Sequence, residues 1–165
     1  MAKIYIGLGS NLGDRQRMMA SAIEAIREIP GTRLLRLSSI RETAPAGGPP
    51  QGKYLNAVVE LDTAMSPRQL FDALKTIERS LGRMPSVRWG PRLIDLDLIF
   101  FGAVMMEGAD LTVPHPRLWE RAFVLEPLVE LRPDLVAAGP EGWRRVMAEG
   151  CPGVVETGIA GRDVG

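Results

Sequence analysis

The chain has 165 residues, 45% of them hydrophobic, and its 20 basic and 20 acidic residues cancel to a net charge of zero. This length and composition fit one domain with a hydrophobic core, and the balanced charge argues against a general nucleic-acid binder, which usually carries a basic excess. The single cysteine, Cys151, excludes an intrachain disulfide. Because there is neither a signal-peptide pattern nor a run of roughly 18 apolar residues, we expect a cytosolic protein with no membrane attachment.

The first half of the chain predicts a strand, a helix and two further strands. Apolar residues alternate across 4–8, which is typical of a strand, and recur at helical spacing across 18–29. Residues 33–43 and 54–61 predict the second and third strands. Between them, 44–53 is too rich in Gly and Pro for regular structure. That segment is either inert slack or a mobile cover over a site.

The second half predicts another helix and strand, followed by helical segments. Residues 66–69 form a capping box with Pro at the first helical position, and an apolar stripe continues across 70–81. Alternation predicts a strand over 94–100. Apolar spacing then indicates a short helix near 122–131 and a second one near 143–148.

The order β-α-β-β-α-β with a C-terminal helical addition predicts an α+β, ferredoxin-like fold. Its antiparallel sheet would carry the helices mainly on one face. We expect a single domain over 1–165, of which 150–165 is a loosely packed tail. The other sheet face would be partly open, and strand alternation places Tyr54, Asn56, Asp95 and Asp97 on it.

Two carboxylates on that face are the most informative polar feature. Asp95 and Asp97 are two residues apart on one strand, and like charges held this close raise each other's pKa unless a cation neutralises them. Hard oxygen ligands of this kind suit Mg²⁺. Arg88 and Arg92 lie just upstream, beside Trp89, as ligands for an anion would. The pattern indicates a metal-plus-arginine site for a polyphosphate, and the alternative is merely the hydrated face of a sheet.

Three residues before the strand allow two interpretations each. Glu78 borders the apolar stripe of its helix and is either a solvated flank or a hydrogen-bonding partner for a ligand. Arg83, after the helix-ending Gly82, either complements the helix dipole or contacts phosphate. Trp89 is either a loop anchor, which is the commoner case, or a stacking face for a flat ligand.

Three residues beyond the strand are equally open. His115 lies between two prolines and is followed by Arg121, so the two residues are either structural or bind phosphate together. Phe123 is a core residue or an aromatic face, and the sequence pattern favours the core.

Several short pieces of the chain share the order and spacing of one family. They are Ile6 to Gly13, Tyr54 to Asn56, Ile77-Glu78, Gly82-Arg83, Arg88 to Asp97, Pro114 to Arg117, and Arg121 to Leu125. Over about residues 3–135 the chain therefore resembles the 6-hydroxymethyl-7,8-dihydropterin pyrophosphokinases of folate biosynthesis. The Arg-Trp-Gly-Pro-Arg-x-x-Asp-x-Asp run is the most specific part of this resemblance.

The resemblance implies Mg²⁺-dependent transfer of pyrophosphate from ATP to the pterin hydroxymethyl group, with release of AMP, by a monomeric enzyme. It implies that Asp95 and Asp97 hold two Mg²⁺ ions and that Arg83 and Arg92 stabilise charge on the transferred group. The residues implied to bind ATP are Glu78, Arg83, Arg88, Trp89, Arg92, Leu98, His115 and Arg121. Those implied to bind the pterin are Thr43, Pro45, Ala46, Tyr54, Asn56, Asp95 and Phe123.

The chain departs from some members at three places. The loop after Arg83 is shorter and less basic, and Lys75 and Asp110 stand where those members have an amide and a basic residue. We assign no role to these two from the sequence. The rival function is a non-catalytic small-molecule-binding or regulatory domain of similar fold, for which the full set of arginines, aspartates and His115 would not be needed.

Overall fold

The computed structural model describes residues 2–44, 52–82 and 93–149. The described strands and helices are β1 (Ile4–Ser10), α1 (Arg15–Arg27), β2 (Thr32–Leu37), β3 (Arg41–Thr43), β4 (Tyr54–Thr63), α2 (Pro67–Ser80), β5 (Asp95–Phe101), α3 (Ala122–Leu131) and α4 (Pro133–Glu149). The strands pair antiparallel in the order β2-β4-β1-β5, and β3 pairs with the remaining part of β4. The predicted ferredoxin-like α+β architecture is confirmed. No helix in the described ranges is long and apolar enough to cross a membrane.

The capping box predicted for α2 is present. The Ser66 side chain accepts a hydrogen bond from the Gln69 backbone at 3.2 Å, and the Gln69 side chain accepts one from the Ser66 backbone at 2.9 Å. These bonds satisfy N–H groups that a helix start otherwise leaves unpaired. They fix the start of α2, whose residues Leu70, Leu74 and Ile77 are buried against the sheet.

The single strand predicted over 33–43 is in fact two strands, β2 and β3, that pair with different parts of β4. Ser38 lies between them and replaces part of the backbone ladder. Its backbone N–H donates to the Val58 carbonyl, and its hydroxyl accepts from the Val58 N–H, both at 2.9 Å. The side-chain bond gives the Val58 N–H of β4 a partner where the neighbouring strand is interrupted. Alternation alone does not reveal such a bond.

Strict alternation over the predicted strand 94–100 would place Phe100 on the same face as Leu98, and this is wrong because β5 contains a β-bulge. Tyr5 of β1 lies opposite Phe100, but Ile6 lies opposite Leu98, so Ile99 is an extra residue in the pair. The extra residue reverses the alternation after Leu98. Phe100 therefore packs with Tyr5 on the other face of the sheet.

Hydrophobic residues pack on both faces of the sheet rather than on one. The core under α1 and α2 contains the inward residues of β1, β4 and β5. A second core is formed by Tyr5, Val58 and Phe100 with residues of α3 and α4, including Leu128 and Trp143. The C-terminal helices therefore close one end of the face that we expected to be partly open. The helix predicted near 143–148 is part of α4, which is kinked at Gly139 (φ 70°).

A buried polar network ties this second layer to the sheet. The Tyr5 hydroxyl donates to Glu60 Oε2 at 2.5 Å and accepts from Arg132 at 2.6 Å. Arg36 donates to both Glu60 oxygens and, at 2.7 Å, to the Leu131 carbonyl at the end of α3. These contacts satisfy the buried tyrosine hydroxyl and glutamate, which would be costly to leave unpaired.

Candidate active site

On the sheet face that carries Asn56 and Asp95, the central strand β1 has glycines at positions 7 and 9, and we call this region the trough. In the strand register, Gly9 of β1 lies between Asp95 of β5 and Asn56 of β4, while Gly7 lies opposite Asp97. A Cβ at Gly9 would come within 3.1 Å of the Asn56 amide nitrogen and 3.4 Å of the ring of Tyr54. The missing side chain therefore keeps this strip of the sheet free of a Cβ that would crowd the Asn56 amide and the Tyr54 ring. Sequence reasoning missed this role, although glycines at alternate positions of a strand are its visible signal.

Thr43 fixes the orientation of Asn56. The Thr43 hydroxyl donates a hydrogen bond to Asn56 Oδ1, and β3 holds the two residues on neighbouring strands. Because the oxygen is engaged by Thr43, the amide nitrogen is the atom that lies beside Gly9. The trough thus presents an N–H donor at one side and the Asp95 carboxylate at the other, which suits a flat ligand with a hydrogen-bonding edge.

Asp95 and Asp97 are both partly buried, rather than fully facing water as the alternation suggested. Burial and the negative charge of Asp95 raise the pKa of Asp97 to about 7, although Lys75 and Arg121 act in the opposite direction. A raised carboxyl pKa means that the pair favours a bound proton or another cation. The donor chemistry therefore fits a hard divalent ion.

The described residues contain no cluster of three or more acidic, histidine or cysteine side chains that could hold a metal by themselves. Mg²⁺ usually takes one or two carboxylates and completes its shell with waters and substrate phosphates. The two aspartates fit that pattern.

A cavity of about 380 Å³ adjoins the carboxylate pair, and Asp97 lines it. Asp97 is thus shared between the trough and the cavity. Leu98 and His115, both predicted to contact the nucleotide, line this cavity. So do the two positions left unassigned from the sequence, Lys75 and Asp110. Asp110 is paired with Arg68 through two hydrogen bonds of 2.8 and 2.9 Å.

His115 is held in one orientation and is neutral. The Arg117 backbone N–H donates to His115 Nδ1 at 3.2 Å, so the ring proton belongs on Nε2. Burial, followed by the charges of Arg121, Arg117 and Lys75, lowers the pKa of His115 to about 4. The side chain can therefore donate a hydrogen bond into the cavity at neutral pH, but it cannot contribute a positive charge.

Arg121 supplies that charge at the start of α3. Its guanidinium lies 5.5 Å from the ring centroid of Phe123, and its positive charge opposes the rise in the pKa of Asp97. Phe123 packs at the edge of the second core and remains half-buried. It therefore has both core and surface character.

Of the two interpretations of Glu78, the solvated flank of the helix is wrong, because the side chain is fully buried. One carboxylate oxygen accepts from the Leu96 backbone N–H at 2.6 Å, and the other lies 3.1 Å from Lys75 Nζ. A contact between Glu78 and the nucleotide stays a prediction. Six further predicted residues lie outside the described residues, namely Pro45, Ala46, Arg83, Arg88, Trp89 and Arg92.

The fold has a solved counterpart. The structure resembles a crystallised HPPK-DHPS chain, determined in complex with substrates, with a TM-score of 0.64 and 12% sequence identity. The similarity covers 92% of this chain but 44% of that one. At this identity the likeness concerns the fold alone.

Comparisons of the amino-acid sequence find relatives at higher identity. A protein of Methylorubrum extorquens named 2-amino-4-hydroxy-6-hydroxymethyldihydropteridine pyrophosphokinase is 41% identical over 156 residues, which cover 94% of this chain and 98% of the relative. The Bacillus subtilis protein of the same name is 43% identical over 127 residues, covering 77% and 76% of the two chains. A folate synthesis bifunctional protein of Pisum sativum is 44% identical over 78% of this chain and 25% of its own length. Residues 5–133, which include the trough and the cavity, match the family model for 7,8-dihydro-6-hydroxymethylpterin-pyrophosphokinase (HPPK), and the chain belongs to that family.

Proposed function

We propose that the protein transfers the pyrophosphoryl group of ATP to the hydroxymethyl group of 6-hydroxymethyl-7,8-dihydropterin, releasing AMP, as a step of folate biosynthesis. Membership of the HPPK family supports this reaction. The observation that carries it is the position of Asp97, which borders the glycine-floored trough and also lines the adjoining cavity. A reaction between a flat acceptor and a nucleotide needs such a junction, because the two reacting groups must meet there.

The carboxylate pair would hold Mg²⁺, with two ions expected. The ions would supply neutralisation of polyphosphate charge and would orient the phosphates. Asp95 and Asp97 would provide the fixed oxygen ligands, and Arg121 would add positive charge at the same place. Since phosphoryl-type transfer depends mostly on positioning and charge stabilisation, the chain's task is to hold these groups in place.

The trough would bind the pterin and the cavity would bind the nucleotide. Asn56, oriented by Thr43, would hydrogen-bond the pterin edge, with Tyr54 and Phe123 as aromatic neighbours. In the cavity, Leu98 would contact the base or sugar and neutral His115 would donate a hydrogen bond. The remaining predicted contacts are Pro45 and Ala46 to the pterin, and Arg83, Arg88, Trp89 and Arg92 to ATP.

The reaction is tested by its products. With ATP, Mg²⁺ and hydroxymethyl-dihydropterin, we expect AMP to form in amounts equal to the pterin consumed, as measured by chromatography of the nucleotides. Omission of the pterin should stop AMP formation. Formation of ADP would instead indicate an ordinary kinase, and the absence of turnover despite binding of both substrates would indicate the rival binding domain.

Substitution of Gly9 by alanine is expected to raise the KM for the pterin by roughly ten-fold or more, the scale on which one added methyl group changes recognition in a filled pocket. The new Cβ would lie 3.1 Å from the Asn56 amide nitrogen and occupy the floor of the trough. The KM for ATP should change little and serves as the internal control, alongside the unfolding temperature. An equal rise in both KM values would contradict the assignment of the trough to the pterin.

We further infer that the protein acts in the cytoplasm as a monomeric single domain, with small molecules as its partners. The zero net charge supports small molecules over nucleic acid as partners, and the length and composition support a single domain.

A further inference from the structure

The buried carboxylate of Glu78 connects α2 to the strand that bears the two aspartates. Glu78 is fully buried, and its Oε2 accepts the Leu96 backbone N–H at 2.6 Å. Leu96 stands between Asp95 and Asp97. The glutamate therefore contacts the backbone directly between the two carboxylates of the proposed metal site.

The position of β5 explains why this contact matters. Within the described sheet, β5 is at the end of the strand order and pairs with β1. The Leu96 N–H is directed to Glu78 of the helix instead of to a further strand. Leaving such a buried donor unpaired is costly, so the contact with Glu78 stabilises this edge of β5.

The hydrogen bond also constrains the orientation of the peptide unit between Asp95 and Leu96. The Leu96 N–H belongs to the planar peptide unit that joins Asp95 to Leu96, so fixing that N–H fixes the rotation of the whole unit. The rotation of this unit in turn sets where the Asp95 side chain points and where the chain enters Asp97. An edge strand without such a tie would leave the two carboxylates less well oriented.

Lys75 completes the arrangement from the cavity side. Its Nζ lies 3.1 Å from Glu78 Oε1 and 5.3 Å from the ring centroid of Phe71, and it lines the cavity together with Asp97. Both glutamate oxygens are thus engaged inside the protein, one by the helix and one by the strand.

We propose that Glu78 is a positioning residue, which holds the peptide between Asp95 and Asp97 so that the two carboxylates keep the spacing needed for divalent cations. The proposal rests on the proposed function in so far as it takes these aspartates to be metal ligands. It differs from a direct contact between Glu78 and ATP, because it acts through the Leu96 N–H.

Two variants of similar size distinguish the effect of the length of the Glu78 side chain from the effect of its charge. Glu78→Asp keeps the carboxylate but is one methylene too short to hold the Leu96 N–H, whereas Glu78→Gln keeps the length and an acceptor oxygen but loses the charge. Loss of a group that orients a metal ligand typically weakens metal binding by ~10–100-fold. We therefore expect Glu78→Asp to weaken Mn²⁺ binding by at least about ten-fold and Glu78→Gln to stay within about three-fold of the wild type.

The measurement is Mn²⁺ affinity, obtained by paramagnetic resonance in the presence of a non-hydrolysable ATP analogue, together with the amide resonance of Leu96. That resonance should move strongly in Glu78→Asp and little in Glu78→Gln. Equal Mn²⁺ affinities for Glu78→Asp and wild type would overturn the proposal, as would a loss in Glu78→Gln as large as that in Glu78→Asp. Weaker binding of the analogue alone, with unchanged Mn²⁺ affinity, would overturn it in favour of a nucleotide contact. Failure of the wild-type protein to form AMP would instead count against the proposed function.

Discussion

Asp97→Ala is expected to lower the rate of AMP formation by roughly a thousand-fold or more, because a bound metal supplies several kcal/mol of charge stabilisation in such reactions. Asp97 lines the cavity and lies opposite Gly7 on the floor strand, and burial raises its pKa, so a neighbouring cation would stabilise its ionised form. The measurement is the rate of AMP formation at saturating ATP and pterin over a range of Mg²⁺ concentrations.

Glu24→Ala is the matched control for this variant. Glu24 is an exposed carboxylate on α1, which packs on the opposite face of the sheet, and its removal should leave turnover unchanged. Asp97→Ala should keep the unfolding temperature of the metal-free protein at or above that of the wild type, since it removes a carboxylate that is costly to ionise where it stands. Near-normal Mg²⁺-dependent turnover in Asp97→Ala would refute the metal assignment.

Trp143→Ala is expected to lower the free energy of unfolding by about 3–5 kcal/mol, as large-to-small changes of buried aromatic residues do. Trp143 is 5% exposed, and its ring centroid lies 5.1 Å from that of Phe100 in the second core. The variant would leave a cavity between α4 and the sheet. Urea denaturation followed by circular dichroism measures the change.

Arg145→Ala on the same helix is the control, because Arg145 is exposed and surface substitutions usually stay within about 0.5 kcal/mol. A loss below about 1 kcal/mol in Trp143→Ala would mean that α4 unfolds separately from the sheet. The C-terminal helices would then be an independent addition and not part of the cooperative core.

Local signals in the sequence predicted much of the fold because they act over a few residues. The capping box at Ser66 marked the start of α2, and apolar spacing located α3 at its observed bounds. Alternation also placed Asp95 and Asp97 on one face correctly. These signals depend on neighbouring residues in the chain, which is why they survive in the folded structure.

The errors came from partners that are distant in sequence. The bulge at Ile99 is defined against β1, and the side-chain bridge at Ser38 is defined against β4, so neither is visible in its own segment. Glu78 was judged by its place on a helix stripe, yet its burial is compensated by the Leu96 N–H on another element. The sequence shows that residue Gly9 has no side chain, but only the pairing of β1 with β4 and β5 shows which groups it separates.

The strand that forms the trough floor has one further consequence. All seven residues of β1 are buried, and it pairs along its length with β4 on one side and β5 on the other. Amides in such a central strand exchange with solvent chiefly when the whole domain unfolds. Gly7 and Gly9 should therefore be among the slowest amides to exchange in the protein. The floor of the site would then open only when the whole domain unfolds. Local fraying at the sheet edges would leave its shape intact.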